Sequence, residues 1–465
     1  MILDKELLQK VINTSLLTGA DFAEVFVEDT VSNVVSLVGG KVEKVNSSKV
    51  KGAGIRIAQK LKSVYGYTND LSCEALIKLA KDLSASFEGE ASVGATLGEA
   101  VAAGDHHKAK ILPNTVALAD KVAIAKRAYK AAKEYDEEIS QVNVTYLDTT
   151  QHVQIANNSG LNVTDDRVSV RMSVVAVAAK DGVMQTGHRG PGGAKGFEFF
   201  SEDISVEEEA RKAARIAKTM LHADECPSGK MTVVIDNEFG GVIFHEACGH
   251  SLEATSVARN ASVFCGKLGE KVASEVVTAI DDGTIENAWG SANIDDEGNP
   301  QQRRVLIEKG ILKSYMVDEL NARRMNCANT ASSRRESYKY APTSRMSNTY
   351  IDNGESTFEE IIAATEYGLY AKSMGGGSVN PGTGDFNFSV NEGYIIRNGK
   401  ICEPVRGASL VGTGREALLN IDMVANNLRR AQGMCGSSSG SIRADVGQPT
   451  IRIQNVTVGG RKGAN

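Results

Sequence analysis

One six-residue stretch is more informative than any other part of the sequence: His245-Glu246-Ala247-Cys248-Gly249-His250. Neutral imidazoles are common zinc ligands, and a carboxylate beside such a ligand can act as a general base. The alternative is a helix whose histidines are half-buried and satisfied by their neighbours. Two of only seven histidines stand at this spacing with a glutamate between them, and this favours a metal-binding hydrolase site.

The two histidines are five residues apart, which has a structural consequence. In an α-helix, which turns by about 100° per residue, they would lie roughly 140° apart and could not share an ion. A π-turn lowers the rotation per residue and brings them back toward one face. Gly249 tolerates unusual backbone angles and lies where that distortion is needed. We therefore predict a π-distorted helix over about 238–252, preceded by a buried strand at Met231–Asp236 and capped by Asn237.

A catalytic zinc site needs three protein ligands and one open position. The candidates for the third ligand are Cys248, Glu253 and Cys435. Cys248 lies on a different side of the helix and is easily explained as a small buried residue. Glu253 follows His250 by three residues, whereas Cys435 lies in a glycine-flanked segment predicted to be a turn. Chemistry alone does not separate Glu253 from Cys435.

Composition indicates a cytoplasmic enzyme rather than a secreted, membrane or nucleic-acid-binding protein. The 465 residues carry a net charge of −6, which argues against general binding to nucleic acid or a membrane surface. The sequence contains neither a signal-peptide pattern nor an apolar run of the ~20 residues that a transmembrane helix needs. Seven scattered cysteines fit a reducing compartment. The basic run 334–340 is, in an acidic chain, more typical of a carboxylate or phosphate contact or of a solvated face.

Periodicity predicts an α+β fold in which an N-terminal α/β region consists of two helix-meander-helix units. The predicted regions are an N-terminal unit at 1–85, a connector at 86–114, a second unit at 115–225 and a β-rich catalytic domain at 226–465. The first unit is predicted to have helices at about 4–18 and 71–84 and strands at 22–28, 34–38 and 54–57. The second is predicted to have helices at about 115–135 and 206–221 and strands at 142–147, 152–155 and 168–178.

The C-terminal region carries three further strand signals. Residues 305–312 and 394–401 are predicted to be hairpins, the second with an Asn-Gly turn. Residues 449–458 are predicted to form a closing strand. The HExxxH helix should therefore lie within a largely β-structured domain.

The whole chain resembles the TldD/PmbA family of metallopeptidases, and specifically its catalytic TldD-type members. The resemblance rests on several long motifs in the same order: HEACGHSLEA from His245, Arg334-Arg335-Glu336-Ser337-Tyr338, Arg345-Met346-Ser347-Asn348-Thr349-Tyr350, Gly376-Gly377-Ser378-Val379-Asn380-Pro381 followed by Thr383-Gly384-Asp385-Phe386, Gly433-Met434-Cys435-Gly436 and Gln448-Pro449-Thr450-Ile451-Arg452-Ile453. PmbA-type members lack HExxxH, so its presence here implies the active subunit type.

The resemblance implies that His245, His250 and Cys435 bind zinc and that Glu246 is the catalytic carboxylate. It also implies a homodimer, or a heterodimer with a PmbA/TldE-type subunit, that encloses the site in a chamber and admits only unfolded or short peptides. Cys248 departs from the family pattern, which has an apolar residue there, and leaves a second thiol close to the expected metal.

Three other functions are weighed against a zinc peptidase. The zinc could be structural, in a peptide-binding or maturation-complex subunit without broad proteolytic activity. The site could hydrolyse an amide that is not a peptide. A nucleic-acid partner is the weakest alternative, and a lack of salt-sensitive binding would eliminate it.

Overall fold

The computed structural model describes residues 3–104, 106–380 and 382–460, so Pro381 of the motif quoted above lies outside the described residues. None of the helices in these ranges is long and apolar enough to cross a membrane. The N-terminal region consists of one mixed layer of strands with helices packed against it. Its strands are β1 (Phe22–Val38), β2 (Lys41–Gln59), β3 (Lys62–Thr68), β4 (Val101–Ala102), β5 (Ile139–Asn157), β6 (Asn162–Lys180), β7 (Val183–Arg189) and β8 (Gly192–Gly193). Its helices are α1 (Lys5–Ser15), α2 (Cys73–Ser84), α3 (Leu118–Lys133), α4 (Phe199–Glu202) and α5 (Val206–Leu221), with a 3₁₀ turn at Pro113–Thr115.

The two predicted helix-meander-helix units are confirmed, and they share one sheet. Among the described residues the strand order is β3-β2-β1-β5-β6, with β4, β7 and β8 all paired to β6. The antiparallel pairing of β1 with β5 joins the units at the centre. Each unit therefore supplies a three-stranded meander, and its two long helices cover its own part of the sheet.

The strands are longer than the sequence pattern indicated. The predicted strands at 22–28 and 34–38 are both parts of β1, because the polar residues between them remain paired with β2 and β5. A backbone ladder does not require apolar side chains where a face is only partly covered. Alternation of hydrophobic residues thus located the core-facing parts of these strands and missed the polar parts.

The C-terminal region is rich in short strands and irregular segments. Its strands are β9 (Asp224–Glu225), β10 (Gly229–Ile235), β11 (Ala279–Asp282), β12 (Arg303–Glu308), β13 (Ile311–Leu312), β14 (Ser333–Arg334), β15 (Thr343–Ser344), β16 (Asn348–Ile351), β17 (Tyr367–Val379), β18 (Asp385–Arg397), β19 (Lys400–Arg406), β20 (Ser409–Thr413), β21 (Ile421–Val424), β22 (Arg429–Ser437), β23 (Gly440–Gln448) and β24 (Ile451–Gly459). Its α-helical segments are α6 (Val242–Phe244), α7 (Ala254–Val257), α8 (Glu319–Met325), α9 (Phe358–Ala363) and α10 (Gly414–Leu419).

Two sheets of this region position the HExxxH segment. In the first, the order β17-β10-β24-β20-β18 closes on itself because β17 also pairs with β18. In the second, the order is β13-β12-β11-β16-β23-β22, so β22 is an edge strand. The predicted hairpins are confirmed as β12–β13 and β18–β19, the latter turning at Asn398 and Gly399 with φ angles of 48° and 71°. The closing strand is β24.

The two regions meet through apolar contacts and through buried charges. Phe26, Ile155 and Val163 of the N-terminal sheet pack against Ile294 and Tyr338 of the C-terminal region. These residues point away from the face that α1 and α2 cover, as the alternation of side chains along a strand requires.

A set of charged groups, here called the junction network, lies beside this contact and consists of Glu24, Arg56, Asp296, Glu297 and Arg335. Arg56 contacts Glu24 at 2.8 Å and Glu297 at 2.7 Å, and Arg335 contacts Glu24 at 2.6 Å. The backbone N–H of Arg335 donates to Asp296 at 2.6 Å. All five residues are buried, so their charges are screened by one another rather than by water.

Candidate metal centre

The HExxxH segment is an irregular helix with the predicted π distortion. A 3₁₀ turn at Glu238–Gly241 leads into α6, His245–Gly249 forms a π-helix, and His250–Leu252 forms a second 3₁₀ turn. The backbone N–H of His250 donates to the carbonyl of His245, which is the i to i+5 bond of a π-turn. As a result the two imidazole rings lie with centroids 5.1 Å apart.

Two details of that prediction were wrong. Gly249 has ordinary helical angles, φ −55° and ψ −52°. Glycine is needed there for space, because a Cβ atom would lie 2.2 Å from Met346 Sδ. Asn237 makes no side-chain cap; its amide donates to the carbonyl of Asn427 at 2.9 Å. The chain enters the segment through Glu238, whose φ of 60° produces a sharp turn instead.

Cys435 lies on edge strand β22, not in a turn as the flanking glycines suggested. Its cross-strand partner on β23 is Ile442. The Cys435 Sγ atom is 3.3 Å from His245 Nε2 and 3.3 Å from His250 Nε2. The three ligand atoms all lie within 4.8 Å of one another. The fold thus brings together the three residues that the family resemblance implied, here called the triad.

Proton affinities in the triad are coupled. Burial opposes ionisation of Cys435, but hydrogen bonds with His245 and His250 lower the pKa of the thiol to about 4. Burial also opposes a charge on His250, yet Glu253 and Cys435 raise the pKa of that imidazole well above its usual value. The sulfur is therefore a thiolate, the form in which cysteine binds metals.

The other two candidates for the third ligand lie elsewhere. Glu253 is behind His250, with Glu253 Oε2 3.1 Å from His250 Nδ1. This contact leaves His250 Nε2 directed at Cys435, an arrangement common among metal-binding histidines. Cys248 is 1% exposed and belongs to the apolar core of the C-terminal region, and burial strongly raises the pKa of its thiol. It therefore acts as a small core residue.

Glu246 follows the first histidine and is half-buried. Its Oε2 atom is 3.7 Å from His250 Nε2, and 26% of its side chain is exposed. The carboxylate thus lies beside the triad while remaining reachable by water. This is the position that proton transfer to or from a group at the triad requires.

A buried arginine that sequence reasoning assigned no role connects the triad to its surroundings. Arg345 is 0% exposed, and its guanidinium donates to the Cys435 carbonyl at 2.6 Å and to the Gly440 carbonyl at 3.0 Å. Its Nε atom lies 3.9 Å from Glu253 Oε1. Arg345 therefore contacts both the strand that carries Cys435 and the carboxylate that orients His250. The only signal in the sequence was its place in a family motif.

Comparison with protein families gives matches along most of the chain. Residues 23–94 match PmbA/TldA metallopeptidase domain 1, residues 111–221 match the central domain, and residues 228–460 match the C-terminal domain. The last of these contains all three residues of the triad.

Individual proteins give the same result. The metalloprotease TldD homolog of Haemophilus influenzae is 41% identical over 337 residues, 71% of this chain and 70% of that protein. The TldD homolog of Buchnera aphidicola from Schizaphis graminum is 34% identical over 462 residues, 95% of this chain and 93% of that protein. The crystal structure of TldE from Thermococcus kodakarensis has a TM-score of 0.77 at 18% identity and covers 97% of this chain and 99% of that one. The last likeness concerns the fold alone.

Proposed function

Because the chain belongs to the PmbA/TldD family of metallopeptidases, we propose that it is a zinc-dependent peptidase that hydrolyses unfolded or short peptides. The observation that carries this proposal is the triad, in which two imidazole nitrogens and one cysteine sulfur lie within 4.8 Å of one another, with the Glu246 carboxylate beside them. Two alternatives, a structural zinc in a peptide-binding or maturation-complex subunit and an amidohydrolase for other amides, are tested below.

The donor set fits zinc. Imidazole nitrogen and thiolate sulfur suit Zn²⁺ better than Mg²⁺ or Ca²⁺, which prefer oxygen ligands. Three protein ligands are also the number found in catalytic zinc sites, whereas structural sites have four. Bound at His245, His250 and Cys435, zinc would supply the Lewis acidity that polarises a carbonyl and makes water acidic enough to ionise near pH ~7.

The side chains of the protein supply the rest of the proposed chemistry. Glu246 accepts the proton of the attacking water and later returns it to the leaving amine. Glu253 holds the His250 ring so that Nε2 faces Cys435, where it would bind the ion, and Arg345 holds the carbonyl of Cys435. These contacts fix the ligands before substrate arrives, which lowers the cost of reaching the reactive geometry.

An extended substrate fits the architecture around the triad. β22 has one paired edge, toward β23, and it carries Cys435. A peptide that lies along such an edge must be extended. A folded domain can expose an extended segment only at a cost of much of its unfolding free energy, which is ~5–15 kcal/mol. We therefore infer that tightly folded proteins are not substrates.

We also propose that the chain acts in the cytoplasm as a dimer, with itself or with a PmbA/TldE-type subunit. The seven cysteines are all free, which fits a reducing compartment. The fold is shared with TldE of Thermococcus kodakarensis, and this supports a partner of similar fold. Light scattering should report about twice the chain mass of 49.5 kDa, alone or after a PmbA/TldE-type chain is added.

The test of the proposed function is Glu246→Gln. This change keeps the shape of the side chain but removes the base, so zinc content should stay at that of the wild type while cleavage of an unfolded peptide falls by ~100-fold or more. The same sequence in a stably folded domain should resist the wild type. A zinc-loaded Glu246→Gln protein with full activity would assign the proton transfer to another residue. Absence of peptide cleavage by the zinc-loaded wild type would favour the alternatives.

A further inference from the structure

A polar cavity of about 390 Å³ lies where the N-terminal sheet meets the C-terminal region, and it is here called the junction cavity. Hydroxyl-bearing residues of the N-terminal sheet, among them Ser32, Thr149 and Ser169, form one wall. The other wall contains Arg334, Met434 and Arg443. Its volume is that of a site for a small polar group. The basic run 334–340, which the peptidase chemistry does not use, thus contributes to an internal surface.

Two arginines of this cavity make no direct ion pair. Four carboxylates also line the cavity, and each accepts a hydrogen bond from a backbone N–H: Glu28, Asp295, Asp296 and Glu336. Arg334 and Arg443 make no ion pair with any residue that the structure describes. Arg334 Nη1 donates only to the carbonyls of Met346 at 2.8 Å and Arg443 at 2.6 Å. Arg443 Nη1 is buried and has no hydrogen-bond partner. Both arginines are half-buried. A half-buried cation with a buried donor that has no partner is unfavourable, and an anion that binds there reduces this cost.

Electrostatics supports the same interpretation. Burial, together with the neighbouring Arg334, lowers the pKa of Arg443 to about 9. Burial similarly lowers the pKa of Arg334 to about 10. By contrast Arg167, which lines the same cavity, contacts Asp165 at 2.8 Å and Asp296 at 2.6 Å. The cavity is therefore lined both by an arginine with direct ion pairs, Arg167, and by two arginines without one, Arg334 and Arg443.

The junction cavity adjoins the hairpin that carries Cys435. In the β22–β23 pairing, Cys435 is opposite Ile442 and Met434 is opposite Arg443. Ile442, Met434 and Arg443 all line the cavity, so residues from both faces of the hairpin reach it. Because an extended strand rises about 3.3 Å per residue, a cavity beside this hairpin lies within a few residues of extended peptide from the triad.

We propose that the junction cavity is a substrate subsite in which Arg334 and Arg443 bind a carboxylate of the peptide, a few residues from the cleaved bond. This inference rests on the proposed function. The guanidinium fork matches a carboxylate through paired N–H donors, and the hydroxyl wall offers further donors. The carboxylate can come from an aspartate or glutamate side chain or from the C-terminus, so the protein would prefer acidic peptides or peptides with a nearby free end.

The test uses matched peptides on the zinc-loaded wild type. A first series of unfolded peptides carries a single Glu, or Gln in its place, at one of three positions on either side of the cleaved bond. A second series has either a free or an amidated C-terminus. At one position kcat/KM should be about 10-fold or more higher for the carboxylate form, the effect of a hydrogen bond to a charged group. A preference for a side-chain carboxylate appears in the Glu and Gln comparison, and a preference for the C-terminal carboxylate appears in the comparison of free and amidated ends.

Two variants connect that preference to the cavity. In Arg443→Gln the ratio of kcat/KM for the acidic and neutral peptides should fall to about one, and Arg334→Gln should reduce it. Arg211→Gln, on the exposed surface of α5, should keep the ratio. Thermal unfolding of Arg443→Gln should not occur at a lower temperature, because the change removes a half-buried charge that makes no direct ion pair.

Equal kcat/KM for every pair, or a ratio that survives both arginine variants, would overturn the subsite. Failure of the proposed function has a different signature, since then no peptide of either kind is cleaved. In that case calorimetric binding of the same acidic and neutral peptides decides the subsite independently. Equal affinities would reject it, and an affinity difference lost in Arg443→Gln would support it.

Discussion

The triad and the junction network are both largely buried sets of ionisable groups, but they differ in how those groups are arranged. In the junction network each guanidinium contacts a carboxylate at 2.8 Å or less, and the partners come from both regions of the molecule. Arg56 Nε and Arg335 Nε are nevertheless without a hydrogen-bond partner. In the triad the three ligand atoms instead converge on one point, and His245 Nδ1 is buried without a partner. The network pairs opposite charges, whereas the triad presents three ligand atoms at a single point.

The difference shows how to distinguish a structural charge cluster from a functional one. Opposite charges that neutralise each other hold two regions together, and removal of one partner leaves a costly unpaired charge. Ligand atoms that face one point from three sides are instead arranged as in a metal site, so their geometry serves what they bind. Mutations should therefore divide into those that lower stability and those that lower metal content.

The largest expected effect is loss of the metal. Cys435→Ala removes the thiolate, and since a catalytic site has only three protein ligands, zinc content should fall from about one ion per chain to near zero, with loss of peptide cleavage. Elemental analysis after gel filtration measures this. Cys248→Ala is the matched control, because its thiol lies in the core. Full zinc content in Cys435→Ala together with loss in Cys248→Ala would exchange the roles of these cysteines.

Breaking the junction network should instead lower stability. Arg335→Met leaves Glu24 and Glu297 to share Arg56, and the buried carboxylate charge that is then uncompensated costs about 3–5 kcal/mol. Thermal unfolding should occur at a clearly lower temperature, while the folded protein retains its zinc. Lys78→Met, which removes an exposed ion pair with Asp82, serves as control and should have almost no effect. An unchanged unfolding temperature in Arg335→Met would mean that the network does not hold the regions together.

A smaller effect is expected where the two kinds of cluster overlap. Arg345 is buried like the arginines of the junction network but contacts the surroundings of the triad. Arg345→Met should weaken zinc binding by about 10–100-fold, as loss of a group that supports metal ligands does. Competition with a chelator measures the affinity, and Arg211→Met controls for the substitution itself. Equal affinities would limit Arg345 to a role in packing.

How much of the fold and of the site could be predicted from sequence depends on how far apart along the chain the interacting residues lie. The spacing of His245 and His250 required a local distortion of the helix. The π-turn could be predicted because it involves only neighbouring residues. The helix-meander-helix units were similarly visible in local periodicity. By contrast the role of Gly249 depends on Met346, almost a hundred positions away, and no local rule contains that contact.

The third ligand shows the same limit. Cys435 is 190 positions from His245 and reaches it only because β22 is an edge strand of a sheet whose order does not follow the chain. Residue chemistry left Glu253 and Cys435 equal, and the family resemblance separated them. The partners of Arg335, which come from the other region of the molecule, could not be predicted from the basic run in which it lies.

The smallest expected effect concerns the surplus charge of the junction network, which has three carboxylates for two guanidinium groups. Burial, together with Asp318 and Asp295, raises the pKa of Glu297 from its usual 4.5 to about 8. Between these values the folded protein holds a proton that the unfolded chain has lost, so this group makes the protein less stable as pH rises. Glu297→Gln removes that titration. The unfolding temperature of the variant relative to the wild type should therefore rise by up to about 4 °C from pH ~5 to ~8, whatever the constant offset from the lost contact with Arg56. Glu308→Gln, at an exposed carboxylate, should show no such trend. A parallel pH dependence for Glu297→Gln and the wild type would mean that the network holds no extra proton and that its charges are already balanced.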